Sequence, residues 1–181
     1  MFAMMGIAAF AADTAARIDV DGQKTQISLT PGQAPAGGSC TNAGWIKDEV
    51  KKKYILMAQS ASLKSDDWEV IEFTFTPDKT GMVWVSLSGP WSKPEGADKN
   101  VPVWTCFDEI EVTGAAVKNG DFEQVDANGK PVGWYLQVPE LFINENGQKY
   151  VKVWHNQRVG QNLNVTAGQE VKIKAKVKKA E

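Results

Sequence analysis

The sequence predicts an all-β protein, an antiparallel β-sandwich of the jelly-roll type. Three observations carry that expectation. Apolar and polar residues alternate with period two along most of the chain, helical periodicity is nearly absent, and Gly, Pro, Asn and Asp cluster between the alternating runs. Many short strands separated by turns suit two sheets that cover each other's apolar faces.

Taken in order, "ARIDV", "TQISLT" and "KKYILMAQSA" read as the first strands. In "VIEFTFTP" the residues Ile71, Phe73 and Phe75 share one face and Glu72, Thr74 and Thr76 the other, the signature of a half-buried strand. "GMVWVSLSG" places Val83, Val85 and Leu87 inward and sets Met82, Trp84, Ser86 and Ser88 opposite them, so a tryptophan falls on the polar side. "VWTCFDEIEV" and "RVGQNLNV" are further strands, and "YVKVWHNQ" turns Val151 and Val153 inward and Tyr150, Lys152, Trp154 and Asn156 outward. "EVKIKAKVKK" separates Val171, Ile173, Ala175 and Val177 from a row of Lys172, Lys174, Lys176 and Lys178. That row reads first as the protection of an edge strand against unwanted pairing and second as a surface for an acidic ligand. "TPDKTG", "DANGKP", "NENGQ" and "TAGQ" are turns. "TPGQAPAGGSCTNAG" and "GPWSKPEGADKNVP" are longer loops, where binding residues tend to sit, and the second carries Trp91.

At 181 residues and 43% hydrophobic the chain can bury a substantial core. Twenty basic residues against twenty-two acidic ones leave a net charge of −2, so no global positive field favours nucleic acid or anionic lipid. Residues 1–11 are uncharged and apolar, with Ala9-Phe10-Ala11 in the small-x-small form of a signal-peptidase site. This signal-peptide-like segment predicts a secreted, periplasmic or cell-surface protein, without membrane insertion once the signal is removed. Cys40 and Cys106 fit one disulfide in an oxidising compartment or two free buried thiols, and no CxxC metal or redox motif is present.

"NGDFEQVDANGKPVGW", Asn119 to Trp134, resembles the opening strand and turn of secreted carbohydrate-binding modules with a galactose-binding-like jelly roll, the group containing families four, nine and twenty-two. "VGQNLNVTAGQEVKIKAKVKK" is similar to the middle of those modules. "DDWEVIEFTFTPDKTGMVWVSLSG" and "VWTCFDEIEVTG" are similar to their later strands, yet come earlier in this chain. The resemblance therefore implies one jelly roll over residues 14–181 in permuted order, residues 14–115 supplying the later strands and 116–181 the earlier ones. A short module over 14–115 followed by a truncated one over 116–181 is the alternative.

A protein binds a sugar by laying a flat ring against its C–H face and placing polar side chains around its hydroxyls. Among seven tryptophans, Trp84 and Trp154 fall by alternation on polar faces and Trp91 lies in a loop; these are the first candidates, with Tyr135 and Tyr150 behind them. Trp68 and Trp134 occupy family-like motif positions and read as structural, while Trp45 and Trp104 stay undecided. Asn156 and Gln161 head the amide partners, with Gln59, Gln157 and Asn162, and Arg158 would suit a uronic acid. The resemblance also implies a structural calcium held by Glu123 and Asp108, with Asp121 a weaker ligand; calcium takes several hard oxygens.

The function expected is non-catalytic binding of a polysaccharide or glycan, with other exported glycan-degrading or surface proteins as further partners. A structural or adhesive surface module is the alternative. A small glycan-active hydrolase or lyase comes third, drawing carboxylates from Asp108, Glu109, Glu111 or Glu123. The single histidine, His155, has no recognisable serine or cysteine partner motif.

Overall fold

Alternation along the chain becomes two antiparallel five-stranded sheets in the computed structural model, which describes residues 15–22, 55–63, 66–77 and 80–180. The strands are β1 (Ala15–Gly22), β2 (Ile55–Ser62), β3 (Glu69–Phe75), β4 (Gly81–Ser88) and β5 (Trp104–Thr113), then β6 (Tyr135–Leu136), β7 (Phe142–Glu145), β8 (Gln148–Val153), β9 (Val159–Val165) and β10 (Val171–Ala180). The first sheet runs β2-β1-β4-β9-β6 and the second β3-β10-β5-β8-β7. The protein is an all-β sandwich. Strands from before and after residue 116 share each sheet: β9 lies between β4 and β6, and β10 between β3 and β5.

Burial follows the alternation. Val83, Val85 and Leu87 of β4, Phe73 and Phe75 of β3, and Val171, Ile173, Ala175 and Val177 of β10 join Ile18, Val20, Phe107, Val151, Val153 and Leu163 in one apolar cluster. Each large aliphatic or aromatic side chain withdrawn from water contributes about 1.5–3 kcal/mol, so facing rows of this kind hold the sheets together. One departure from alternation is on β4, where Ser86 and Ser88 are buried although they point away from that cluster.

The lysine row of β10 is corrected in its reason. β10 is an interior strand, hydrogen-bonded on both sides, so its lysines do not guard an edge. Register supplies the actual cause. Glu72 of β3 lies opposite Lys174 and takes Lys172 at 2.9 Å and Lys174 at 3.9 Å, while Glu109 of β5 takes Lys176 at 2.6 Å. The ladder shifts between Lys174 and Lys176, beside Glu109 with its φ of 44°.

Short strands were not legible in the sequence. β6 is two residues long, held by Tyr135 and Leu136 opposite Gly160 and Val159, and β7 is four; neither shows a period. Between them a 3₁₀ turn, Pro139–Leu141, sinks Leu141 into the core. β7 and β8 are joined by Asn146-Gly147, both with positive φ, the two-residue link that matches strand twist.

The "NGDFEQVDANGKPVGW" stretch is a packed corner. Asn119, at φ 50°, donates from Nδ2 to the carbonyls of Gln124 (2.8 Å) and Val132 (3.1 Å), and its Oδ1 accepts from the Gln124 N–H (2.8 Å). Gly120 abuts the Ile110 carbonyl so closely that a Cβ has no room, and its own carbonyl accepts from the Ile110 N–H at 2.8 Å. Phe122 is fully buried against Trp134, ring centres 4.9 Å apart, and the Trp134 Nε1–H donates to the Asn119 carbonyl at 2.9 Å. Asp126 Oδ1 accepts from the backbone N–H groups of Asn128 and Lys130, which hold its carboxyl below the usual range.

Residues 1–11, "TQISLT", the loop containing Cys40, and Trp45 lie outside the described residues. Among the described residues no helix is long and apolar enough to cross a membrane.

Candidate functional site

Two aromatic side chains meet on the outward face of the first sheet. Trp84 points away from the core because its neighbours Val83 and Val85 point into it, and it lies opposite Asn162 of β9. Tyr135 enters the same face from β6, opposite Gly160. The two rings stand edge to face, centres 5.9 Å apart at 67°, a favoured aromatic geometry. Gly160 permits this placement: a Cβ there would lie 2.6 Å from Cζ2 of Trp84 and 2.5 Å from the Val85 carbonyl oxygen. Trp84 is half-buried, whereas Tyr135 is 58% exposed. Asn162 and Asn164 alternate outward on β9, both exposed, and Met82 is exposed next to Trp84 on β4. On the same side Ser86 Oγ is buried and meets no hydrogen-bond partner. The result is an apolar step beside two side-chain amides that can both donate and accept.

Gln161 departs from its expected role. It points inward from β9 and is 5% exposed; its Oε1 accepts from the Lys118 N–H at 3.0 Å and its Nε2 donates to the Lys118 carbonyl at 3.1 Å. With both ends of the amide bonded to backbone, this side chain fastens the approach to the Asn119 corner instead of facing a ligand. The sequence signal was the strand's own alternation, which puts Gln161 in phase with Val159, Leu163 and Val165.

Tyr150 and Trp154 belong to the second sheet, so the aromatic candidates do not share one surface. Tyr150 stands edge-on to Trp68, centres 5.9 Å apart, and Trp154 lies 6.2 Å from Trp104. The Trp154 Nε1–H donates to Gln157 Oε1 at 2.9 Å across a tight turn that leaves Asn156 exposed. Trp91 is 57% exposed in the loop after β4. That loop leaves the sheet at Gly89, where a Cβ would fall 2.9 Å from the Trp154 Cα and 2.7 Å from the Val103 carbonyl oxygen. Gln137 Oε1 accepts from the Arg158 N–H at 3.2 Å. Gln59 lies on β2, at a position whose side chain is outside the described residues.

Two features of the second face were missed. Trp104, undecided from the sequence, is outward and half-buried, and Trp68, expected to be structural, also lies on that face. Strand parity with Cys106 would have placed Trp104. Nothing local would have placed Trp68, whose ring partner is 82 residues away.

The acidic trio lies where β5 meets the Asn119 corner. Burial raises the Asp108 carboxyl above its usual range, opposed by the Glu109 N–H that its Oδ1 accepts at 2.7 Å, and the Glu109 and Glu123 charges add to the rise. Glu123 is ion-paired with Lys149. Asp121 Oδ1 accepts from the Glu123 N–H at 3.3 Å. Calcium asks for six to eight converging oxygens. Here Glu123 is ion-paired with an ammonium, and Asp108 and Asp121 each give one oxygen to a backbone N–H group. Among the described residues no group of three or more His, Cys, Asp or Glu side chains is placed to hold a metal.

Cys106 carries a buried free thiol, whose pKa burial pushes up to about 11 against the opposing charges of Lys178 and Lys152. Comparison with protein-family models, with curated proteins and with solved structures finds no match to this chain.

Proposed function

We propose that the protein is a non-catalytic glycan-binding module whose ligand lies against Trp84 and Tyr135 on the outward face of the first sheet. One observation carries the reading: a ring that is 58% exposed is held edge to face against a half-buried indole on the solvent side of a sheet. Surface rings of that size gain little by remaining in water, and a sugar's C–H face is a fitting cover. Asn162 and Asn164 stand beside the rings to meet hydroxyls. Trp91 offers a further exposed indole in the loop after β4.

The reading includes the jelly-roll winding of galactose-binding-like modules in permuted order, supported by the interleaving of β9 and β10 among strands that precede them. It also includes work outside the cytoplasm, supported by the apolar segment ending in Ala9-Phe10-Ala11.

Affinity electrophoresis in gels containing the neutral or sparsely charged polymers xylan, β-glucan or mannan tests it. At least one polymer is expected to retard the protein, and Trp84→Ala and Tyr135→Ala are each expected to remove the retardation while leaving the melting temperature within a few degrees. Retardation by none of these polymers, or retardation indifferent to both substitutions, rejects the assignment.

A further inference from the structure

Of the four outward lysines on β10, three stand beside glutamates and one does not. Lys178 sets its ammonium 4.8 Å from the ring centre of Trp68 and 5.4 Å from that of Tyr150. Among the described residues no carboxylate lies within ion-pair distance of it. The two rings fix the ammonium in place by cation–π attraction, but a ring quadrupole does not cancel a charge, and the net positive charge remains available to an anion. Register puts Lys178 opposite Cys106, whose thiol is buried and neutral, so no anion comes from that side. Two residues from Cys106 along β5, on the same outward side, stands Trp104, paired with Trp154. That is a step of about 7 Å on the strand rise. An ammonium held by rings, followed by two indoles with the Lys152 ammonium 5.7 Å from the Trp104 ring centre, matches a sugar carrying a carboxylate and joined to another sugar.

We propose that the outward face of the second sheet is a second glycan site, selective for polysaccharides bearing sparse carboxylates, with Lys178 as the carboxylate ligand and Trp104 and Trp154 as the platform for the adjoining sugar. The site is independent of the Trp84–Tyr135 face on the other sheet. The preference for sparse charge follows from the ion pairs beside Lys178. Glu72 and Glu109 already take Lys172, Lys174 and Lys176, which leaves Lys178 as the one lysine of the row open to an anion, and the exposed Glu111 opposite Lys174 repels a polymer with a charge on every unit. A nucleic acid or a sulfated glycan is disfavoured for the same reason, and the overall charge of −2 adds to it.

Pectins of graded methyl esterification test this, because one backbone then carries a variable carboxylate density. At low salt the wild-type protein is expected to be retarded more by half-esterified pectin than by fully esterified pectin, and Lys178→Gln is expected to weaken the half-esterified interaction about fivefold, as for an exposed charge pair. Lys178→Arg should keep most of the binding and guards against a folding defect in the Gln variant. Trp84→Ala should leave the difference between the two pectins intact, even where it removes binding to neutral polymers, so failure of this site and failure of the first are told apart. Equal retardation by both pectins overturns the proposal, as does a difference that survives Lys178→Gln. Retardation that grows steadily through polygalacturonate to dextran sulfate, with no maximum at intermediate charge, is ion exchange and also overturns it.

Discussion

Gln161 bonds both ends of its side-chain amide to the backbone of one residue, Lys118, which is 43 positions earlier in the chain. The contact ties the middle of β9 to the segment entering the Asn119 corner, with the Gln161 side chain buried and the two hydrogen bonds partly shielded from water.

Gln161→Ala is therefore expected to leave the Lys118 N–H and carbonyl without partners and to destabilise the protein by about 1–3 kcal/mol. Urea unfolding followed by tryptophan fluorescence measures this. Glycan retardation by the folded variant should be unchanged, because the amide does not reach the outer face.

Gly160→Ala should act on the first face directly. The added methyl meets both the Val85 carbonyl and the Trp84 ring, and the ring is the part able to move. We expect destabilisation of about 1–3 kcal/mol, as for other overpacked sites, together with weaker retardation by any polymer that needs Trp84. Unfolding curves and the same gels read the two effects separately.

Cys106 gives a pH signature whose sign is fixed. Its folded-state pKa is raised from 9.0 to about 11, so its contribution to stability is fully present below the ordinary thiol range and is lost as pH rises through about 11. On the order of 2 kcal/mol should disappear from the difference between wild type and Cys106→Ala as pH moves from 8 to 11. Unfolding free energies at pH 7, 9 and 10.5 for the two proteins check it. A difference that stays constant across that range would contradict it.

Chelation should not matter to the fold. With Glu123 held by Lys149 and the Asp108 and Asp121 carboxylates turned to backbone N–H groups, EDTA is expected to leave the melting temperature unchanged and added calcium to raise it by less than a degree. A calcium-dependent rise of several degrees, abolished by Glu123→Ala, would show that the Lys149 pair opens to admit the ion.

Much of the fold was legible because a strand's facing rule is local. Which of Ile71 to Phe75, Met82 to Ser88 and Val171 to Lys178 go inward depends only on neighbours two positions away, and the observed burial of Phe73, Phe75, Val83, Val85, Leu87 and the apolar row of β10 follows it. The candidate surface was legible only in part. The same parity put Trp84 outside, but its partner Tyr135 lies on a two-residue strand with no period to read. The NGDFE…GW signature identified a structural corner in which Asn119, Gly120, Phe122 and Trp134 serve packing.

By itself, then, the amino-acid order settled the sandwich class and the side of each long strand that faces the core, since alternation and turn chemistry act over a few residues. Tertiary structure alone decided that β10 runs between β3 and β5, that its lysines meet Glu72 and Glu109, that Gln161 reaches Lys118, and that the aromatic side chains divide between two outward faces. These are choices of neighbour between segments many residues apart. They are fixed by which pairing closes both sheets over one apolar interior, a condition that no short stretch of sequence can express.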